Sequence, residues 1–298
     1  MSALSSIVLF ALLLTSPALQ AQGELSLQLD TVTWISIVPE SVAADREAKP
    51  EDELLDRIRP YVAERWPEVK HQVIRANPRR AWQMISSGEN VCQVPSVRTA
   101  EREKLAYFSN TFIGPPMQLI VHRSQLKKLP RNAAGEIDLE KLLKESRLQG
   151  GLVDGRSYGD FIDAMLTRTA PGKSSLTRYS SADYGSNLLP MLGKGRIDYT
   201  IDYEVGIAQA RRSVPNFADL VSQPIAGASQ PLLSGVVCPR TPWGLAAIQG
   251  IDKILGTPEA AAMLRESAAE WLTPETRRVY GARMEVFFKN RAKPSVIR

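Results

Sequence analysis

The chain has 298 residues, 37 Lys and Arg against 32 Asp and Glu, a formal net charge of +5 and 44% hydrophobic residues. That length suits one large or two ordinary domains with a proper core, and no low-complexity tract or fixed-period repeat interrupts it. The basic residues fall in isolated pairs such as Arg79-Arg80 and Arg211-Arg212 without interleaved aromatics, which argues against a nucleic-acid partner, and neither His71 nor His122 has a partner at metal-ligand spacing.

Residues 1–21 read as a secretory signal that directs the protein to the periplasm. Ile7 to Leu14 is apolar but too short to span a bilayer, and Ser16-Pro17-Ala18 and Ala21 supply small residues for cleavage. No Lys or Arg precedes Arg46, so the usual basic start is missing, and an uncleaved interfacial anchor is the alternative. No later stretch is long and apolar enough to cross a membrane.

Leu25 to Val38 alternates and is rich in Val, Ile and Thr, which predicts a first strand carrying Trp34. Leu54, Leu55, Ile58, Tyr61 and Val62 lie at helical spacing, so Glu51 to Trp66 is a predicted amphipathic helix. A strand at Val69–Ile74, a helix opening at Asn77-Pro78 and ending near Gly88, and a strand at Val91–Val94 follow. Strand–helix–strand–helix–strand is the mark of a doubly wound sheet. After a strand at 117–122 and a polar linker the alternation repeats. It runs through a helix at 139–145, strands at 149–154, 176–179 and 197–202, and helices ending at Leu166 and Leu192. A return strand near 231–237 leads into three helices, at 243–255, 258–270 and 273–288.

The stretch from Ile85 to Phe112 carries the most specific pattern. A short strand (Val91–Val94) runs into Thr99-Ala100-Glu101-Arg102 and then Tyr107-Phe108-Ser109. Together with Trp34, Asn77-Pro78-Arg79-Arg80 and Cys238-Pro-Arg-Thr-Pro-Trp-Gly, this order resembles the periplasmic solute-binding proteins of family 3, the polar amino-acid binders, in a proteobacterial branch without a settled ligand. The resemblance covers nearly the whole chain. It implies an α/β, two-lobed, type II periplasmic-binding-protein-like fold, each lobe a doubly wound sheet flanked by helices, joined by a two-crossing hinge. One lobe would comprise 24–117 and 232–298, with residues 118–231 inserted as the other. Binding would fall in the crevice at the carboxyl ends of the strands.

On that resemblance Arg102 is the ligand's anchor, since a planar guanidinium offers a fork of donors to a carboxylate. The alternative is a surface arginine paired with Glu101 or Glu103. Val97 stands where the family commonly places a ligand-contacting Thr, and Glu40 follows Pro39 where an aromatic lid is usual. In Gly155-Arg156-Ser157-Tyr158-Gly159 a strand enters a helix, so Ser157 and Tyr158 are candidates to hold an anionic group there. Gly195-Arg196-Ile197-Asp198 resembles the family's second-lobe strand, but Tyr203 occupies the place of the ammonium-binding carboxylate. Asp202 lies one residue early and Glu204 one late, and on a continuing strand these two would share a face.

Cys92 and Cys238 fall on strands of the same lobe in this fold, which admits a disulfide in an exported protein; two separate buried thiols are the other reading. The resulting expectation is a monomeric binding protein that needs no cofactor and takes a small, carboxylate-bearing ligand. Its partner would be an ABC-transporter permease or a membrane-bound sensor. A degenerate binder acting through protein contacts is the first alternative. A cyclohexadienyl-dehydratase-like enzyme using Glu40, Asp202 or Glu204 as acid or base is the second.

Overall fold

The computed structural model describes residues 29–37, 50–145, 147–168, 175–181, 185, 187–213 and 217–297. The signal segment 1–21 and Glu40 lie outside them. Among the described residues no helix is long and apolar enough to cross a membrane.

Two five-stranded sheets carry the fold. The first takes its strands from both ends of the chain: β1 (Thr31–Ser36), β2 (Lys70–Arg75), β3 (Cys92–Val97), β4 (Ala106–Gly114) and β10 (Leu232–Pro239), in the order β2-β1-β3-β10-β4. Strands β1, β2 and β3 are parallel, while β10 runs antiparallel to both β3 and β4. The second sheet is built from the middle: β5 (Gln118–His122), β6 (Gly150–Val153), β7 (Leu176–Tyr179), β8 (Tyr199–Asp202) and β9 (Leu220–Gln223), in the order β7-β6-β8-β5-β9. The chain leaves the first sheet at Gly114, enters the second at Gln118, and returns between Gln223 and Leu232.

Both sheets are covered on two faces, and alternation along the strands shows why. On β1, Val32 and Trp34 enter a core with Val236, Ile248 and Ile251, whereas Ile35 enters a second core with Ala81, Ile85, Phe108 and Val237. On β5, Leu119 and Val121 face one core with Leu152 and Tyr199, and Ile120 faces another with Val153 and Leu192. Each such fully buried aliphatic side chain contributes about 1.5–3 kcal/mol relative to exposure. Trp34, only 1% exposed, is therefore a core residue and not a cleft wall; its Nε1 donates to His71 Nδ1 at 2.9 Å.

The helices expected from the sequence form, and one more appears at 204–213. Helices α1 (Pro50–Arg65), α2 (Pro78–Ser86) and the short α3 (Ala100–Glu103) belong to the first sheet, as do α8 (Pro242–Leu255), α9 (Pro258–Trp271) and α10 (Pro274–Arg291). Helices α4 (Leu139–Glu145), α5 (Asp160–Arg168), α6 (Leu188–Gly193) and α7 (Glu204–Ser213) accompany the second. Thr241, Thr257 and Thr273 each accept a hydrogen bond from the backbone N–H three residues on, and a proline follows each of them. A Thr N-cap with Pro at the first helical position satisfies one orphan amide and removes another.

Cys92 and Cys238 form a disulfide between the neighbouring strands β3 and β10, so the bridge is realised rather than two thiols. Beside it, a buried charge pair ties the last helix to β4. Arg291 Nη2 reaches Asp252 Oδ1 at 3.0 Å, both side chains 2% exposed, and Ser109 Oγ donates to the same oxygen at 2.6 Å. Arg291 Nε donates to the Asn110 carbonyl at 2.7 Å.

Four elements depart from the sequence reading, among them the edge strand β9 at 220–223, which the sequence does not predict. Residues 106–114 form a long strand where no strand is predicted, 123–128 form a 3-10 turn in the polar linker, and 204–213 form a helix. The expected strand past Asp202 stops there, so Asp202 and Glu204 do not share a strand face.

Candidate functional site

The carboxyl ends of β3 and β6 meet between the lobes. At the end of β3 the chain turns at Thr99, whose hydroxyl accepts from the Arg102 N–H at 3.2 Å and caps α3. One short turn of helix thus brings Arg102 back under the strand it followed. Its Nη1 donates to Ser96 Oγ at 2.9 Å and to the Val97 carbonyl at 3.3 Å, and its guanidinium carbon lies 4.4 Å from the Trp82 ring centroid. A guanidinium over an indole face is held by the ring's negative quadrupole. The two acidic neighbours are directed elsewhere: Glu101 takes Lys104 at 2.6 Å, and Glu103 takes Arg98 Nε at 2.9 Å. Arg102 Nη2 crosses to the other lobe and donates to the Gly155 carbonyl at 3.0 Å.

From the facing lobe comes the loop after β6. Gly155 has φ +80°, a backbone conformation that favours glycine, and a Cβ there would sit 2.4 Å from the Arg79 Cα of the first lobe. Only glycine lets the two backbones approach this closely. On either side of it, Asp154 Oδ2 accepts from Arg79 Nη1 at 3.1 Å, and Arg156 Nη2 donates to Asp202 Oδ1 at 2.5 Å. Asp160 Oδ1 accepts from the Ala100 N–H, the first amide of α3, at 2.9 Å. Consecutive residues of one loop therefore engage Arg79 and Arg102 across the cleft and Asp202 within their own lobe.

The Arg156–Asp202 pair is shielded, with side chains 9% and 24% exposed. Burial works against the Arg156 charge, but the Asp202 carboxylate and the nearby Tyr158 outweigh it and the net pKa shift is upward. Asp202 Oδ1 also accepts from the Tyr203 N–H at 2.8 Å.

The remaining candidates are drawn into the protein's own packing. Ser157 is buried; its hydroxyl donates to Asp163 Oδ2 at 2.5 Å and accepts from the Gly159 N–H at 3.2 Å. Tyr158 is 1% exposed in the second lobe's core, where its hydroxyl accepts from the Val153 N–H at 2.9 Å. Burial, opposed by Arg156, pushes its phenol up to about 12. Tyr203 packs edge-on against Trp271 with centroids 5.2 Å apart, joining the cores of both lobes at the crossing. Glu204 reaches Thr276 Oγ1 at 3.4 Å. Val97 packs against the second lobe's core while its carbonyl holds Arg102. The site residues unforeseen in the sequence are Trp82, Ser96, Asp160 and Arg156. Of these only Arg156, following the β6 strand and Gly155, carries a readable signal.

No protein-family model matches the chain, and no curated protein does. Solved structures do match. A mutant of the arginine-binding protein ArgBP from T. maritima is 14% identical with a TM-score of 0.56, covering 81% of this chain and 95% of that one. A histidine kinase sensor domain with similarity to periplasmic binding proteins is 17% identical with a TM-score of 0.56 over 82% and 96%. The amino acid ABC transporter substrate-binding protein AbpA from Streptococcus pneumoniae, bound to L-arginine, is 16% identical with a TM-score of 0.51 over 82% and 95%. At these identities the likeness is one of fold, and the proteobacterial branch has no support from sequence relatives. The chain has the two-lobed periplasmic-binding-protein-like fold of these structures.

Proposed function

We propose that this chain is an exported solute receptor. It captures a small, carboxylate-bearing ligand between its lobes and presents the closed form to a transporter or a membrane-bound sensor. The lobes divide at the two chain crossings, 24–117 with 232–298 and 118–231, and residues 1–21 are the signal that sends the protein to the periplasm. The receptor acts as a monomer and carries out no chemistry on its ligand.

The observation that carries this reading is the position of Arg102. Its guanidinium stands at the lobe junction on an indole face, bonded to the Ser96 hydroxyl and the Val97 and Gly155 carbonyls, and Asp163 lies near enough to feel its charge. A carboxylate gives charge-assisted hydrogen bonds roughly twice as strong as neutral ones, so an anionic ligand outcompetes the Gly155 carbonyl. Because Gly155 belongs to the other lobe, that exchange couples occupancy to lobe movement. The arginine-bound binding protein and the kinase sensor domain of the same fold support capture of an amino-acid-like or other organic acid, for transport or for signalling.

A thermal-shift screen of the mature protein against organic acids, amino acids, sugars and short peptides tests the reading. An acid should raise the melting temperature by linkage. Arg102→Ala should remain folded and bind that acid roughly tenfold or more weakly. Unchanged affinity would remove Arg102 from the site. The direct contacts between the lobes favour a second reading, a closed form that acts through protein contacts. Silence across the panel, with unchanged X-ray scattering, would select it.

A further inference from the structure

A ligand with both a carboxylate and an amine needs an anion in the cleft as well as a cation. Asp202 ends β8 at the edge where the lobes meet, and its side chain retains 24% exposure. Its Oδ1 is nonetheless engaged from inside the protein, by Arg156 Nη2 at 2.5 Å and by the Tyr203 N–H at 2.8 Å. Arg156 itself is 9% exposed, with its guanidinium carbon 5.4 Å from the Tyr158 ring centroid. It is placed by Gly155, the residue whose carbonyl engages Arg102 from the opposite lobe.

We infer that Arg156 is a specificity-determining residue: a tethered cation that occupies the carboxylate Asp202 and so restricts the cleft to acids without an amine. The inference rests on the receptor reading for the nature of the ligand, but the cation position can be tested without it. The physical basis is the asymmetry of shielded ion pairs. Taking both charges out of water is unfavourable, and the pair offsets that only while it stays together. A free ammonium arriving at Asp202 meets a carboxylate whose charge Arg156 already offsets and whose Oδ1 is filled. It gains little unless it displaces a guanidinium that is covalently held at high effective concentration. An acid that needs only Arg102 has to displace the Gly155 carbonyl, a neutral acceptor. Deleting the Arg156 side chain leaves a partly shielded carboxylate beside a space of guanidinium size, which is a site for a small planar cation.

The test is chemical rescue. Arg156→Ala should melt below the wild type, and about 10 mM methylguanidinium should raise its melting temperature by about 2 °C or more through linkage. The same concentration of tetramethylammonium should not, and neither salt should shift the wild type in this way. Asp202→Asn added to Arg156→Ala should abolish the rescue. A folded Arg156→Ala that responds equally to both salts overturns the inference. If the variant does not fold in plain buffer, refolding into methylguanidinium is the same test. A cooperative melt recovered only with that cation supports the inference, and recovery in neither salt overturns it. Alongside, glutarate against glutamate and succinate against aspartate compare acids with and without the amine on the wild type. Preference for the amine-free member supports the inference, and equal binding overturns it. Silence of all four acids counts against the receptor reading alone, and the rescue then decides the role of Arg156.

Discussion

Ser109, Asp252 and Arg291 illustrate how a charge survives inside this protein. Burial drives the Arg291 pKa down and Asp252 pulls it back up, while Ser109, the Asn110 and Lys293 carbonyls and the Ser295 N–H engage the pair's other donors and acceptors. Asp252→Ala would leave the guanidinium buried without its counter-ion, and chemical denaturation should show a loss of about 3–5 kcal/mol. Replacing Arg291 by Met in the same chain should recover much of that loss. His71 is the complementary case. Burial lowers its pKa, opposed by the nearby Trp66 backbone, and its Nδ1 accepts from Trp34. A folded-state pKa below the unfolded value means that the unfolded chain binds the extra proton first. The stability from neutral His71 is therefore present above about pH 6.5 and is lost as pH falls through the folded pKa. The melting temperature should fall more between about pH 7.5 and 5.5 in the wild type than in His71→Phe. Equal slopes would show that His71 has no part in it.

At the level of elements, the loop from β6 to α5 controls how closely the lobes meet. A side chain at position 155 would collide with the Arg79 backbone, which has no flexible end to move aside. Gly155→Val should leave both sheets intact while parting the lobes, seen as a larger radius of gyration in X-ray scattering. An unchanged radius would mean that the lobes yield elsewhere. Much of this organisation is legible in the sequence, because strand alternation and Thr-Pro helix starts are local signals. The misses have physical causes too. β4 (AYFSNTFIG) is buried on both faces, so its residues do not alternate cleanly. Past Asp202, the strand pattern runs unbroken in the letters, but Tyr203 turns into the crossing and α7 begins at Glu204. The site divides along the same line. Arg102 is readable because its turn is a contiguous motif, and the engagement of Arg156 with Asp202 is not, because it joins positions separated by 46 residues.

On the scale of the whole molecule, the first lobe is stapled across a long detour. The Cys92–Cys238 bridge spans 146 residues, including the entire second sheet, and a cross-link over so long a segment removes much conformational freedom from the unfolded chain. Cys92→Ala with Cys238→Ala should lower stability by about 2–5 kcal/mol in denaturant titrations under oxidising conditions. Addition of reductant should cause a comparable loss in the wild type and none in the double variant. The position of β10 has a consequence for how the protein is made. It lies between β3 and β4, yet it is the last strand to be synthesised. By the time a ribosome has passed Gln223 the second sheet has all its strands, while the first still has an empty slot between β3 and β4, whose facing edges are unpaired. The inserted half should thus become protease-resistant in nascent chains before the half that begins the sequence, reversing the usual amino-to-carboxyl order of maturation.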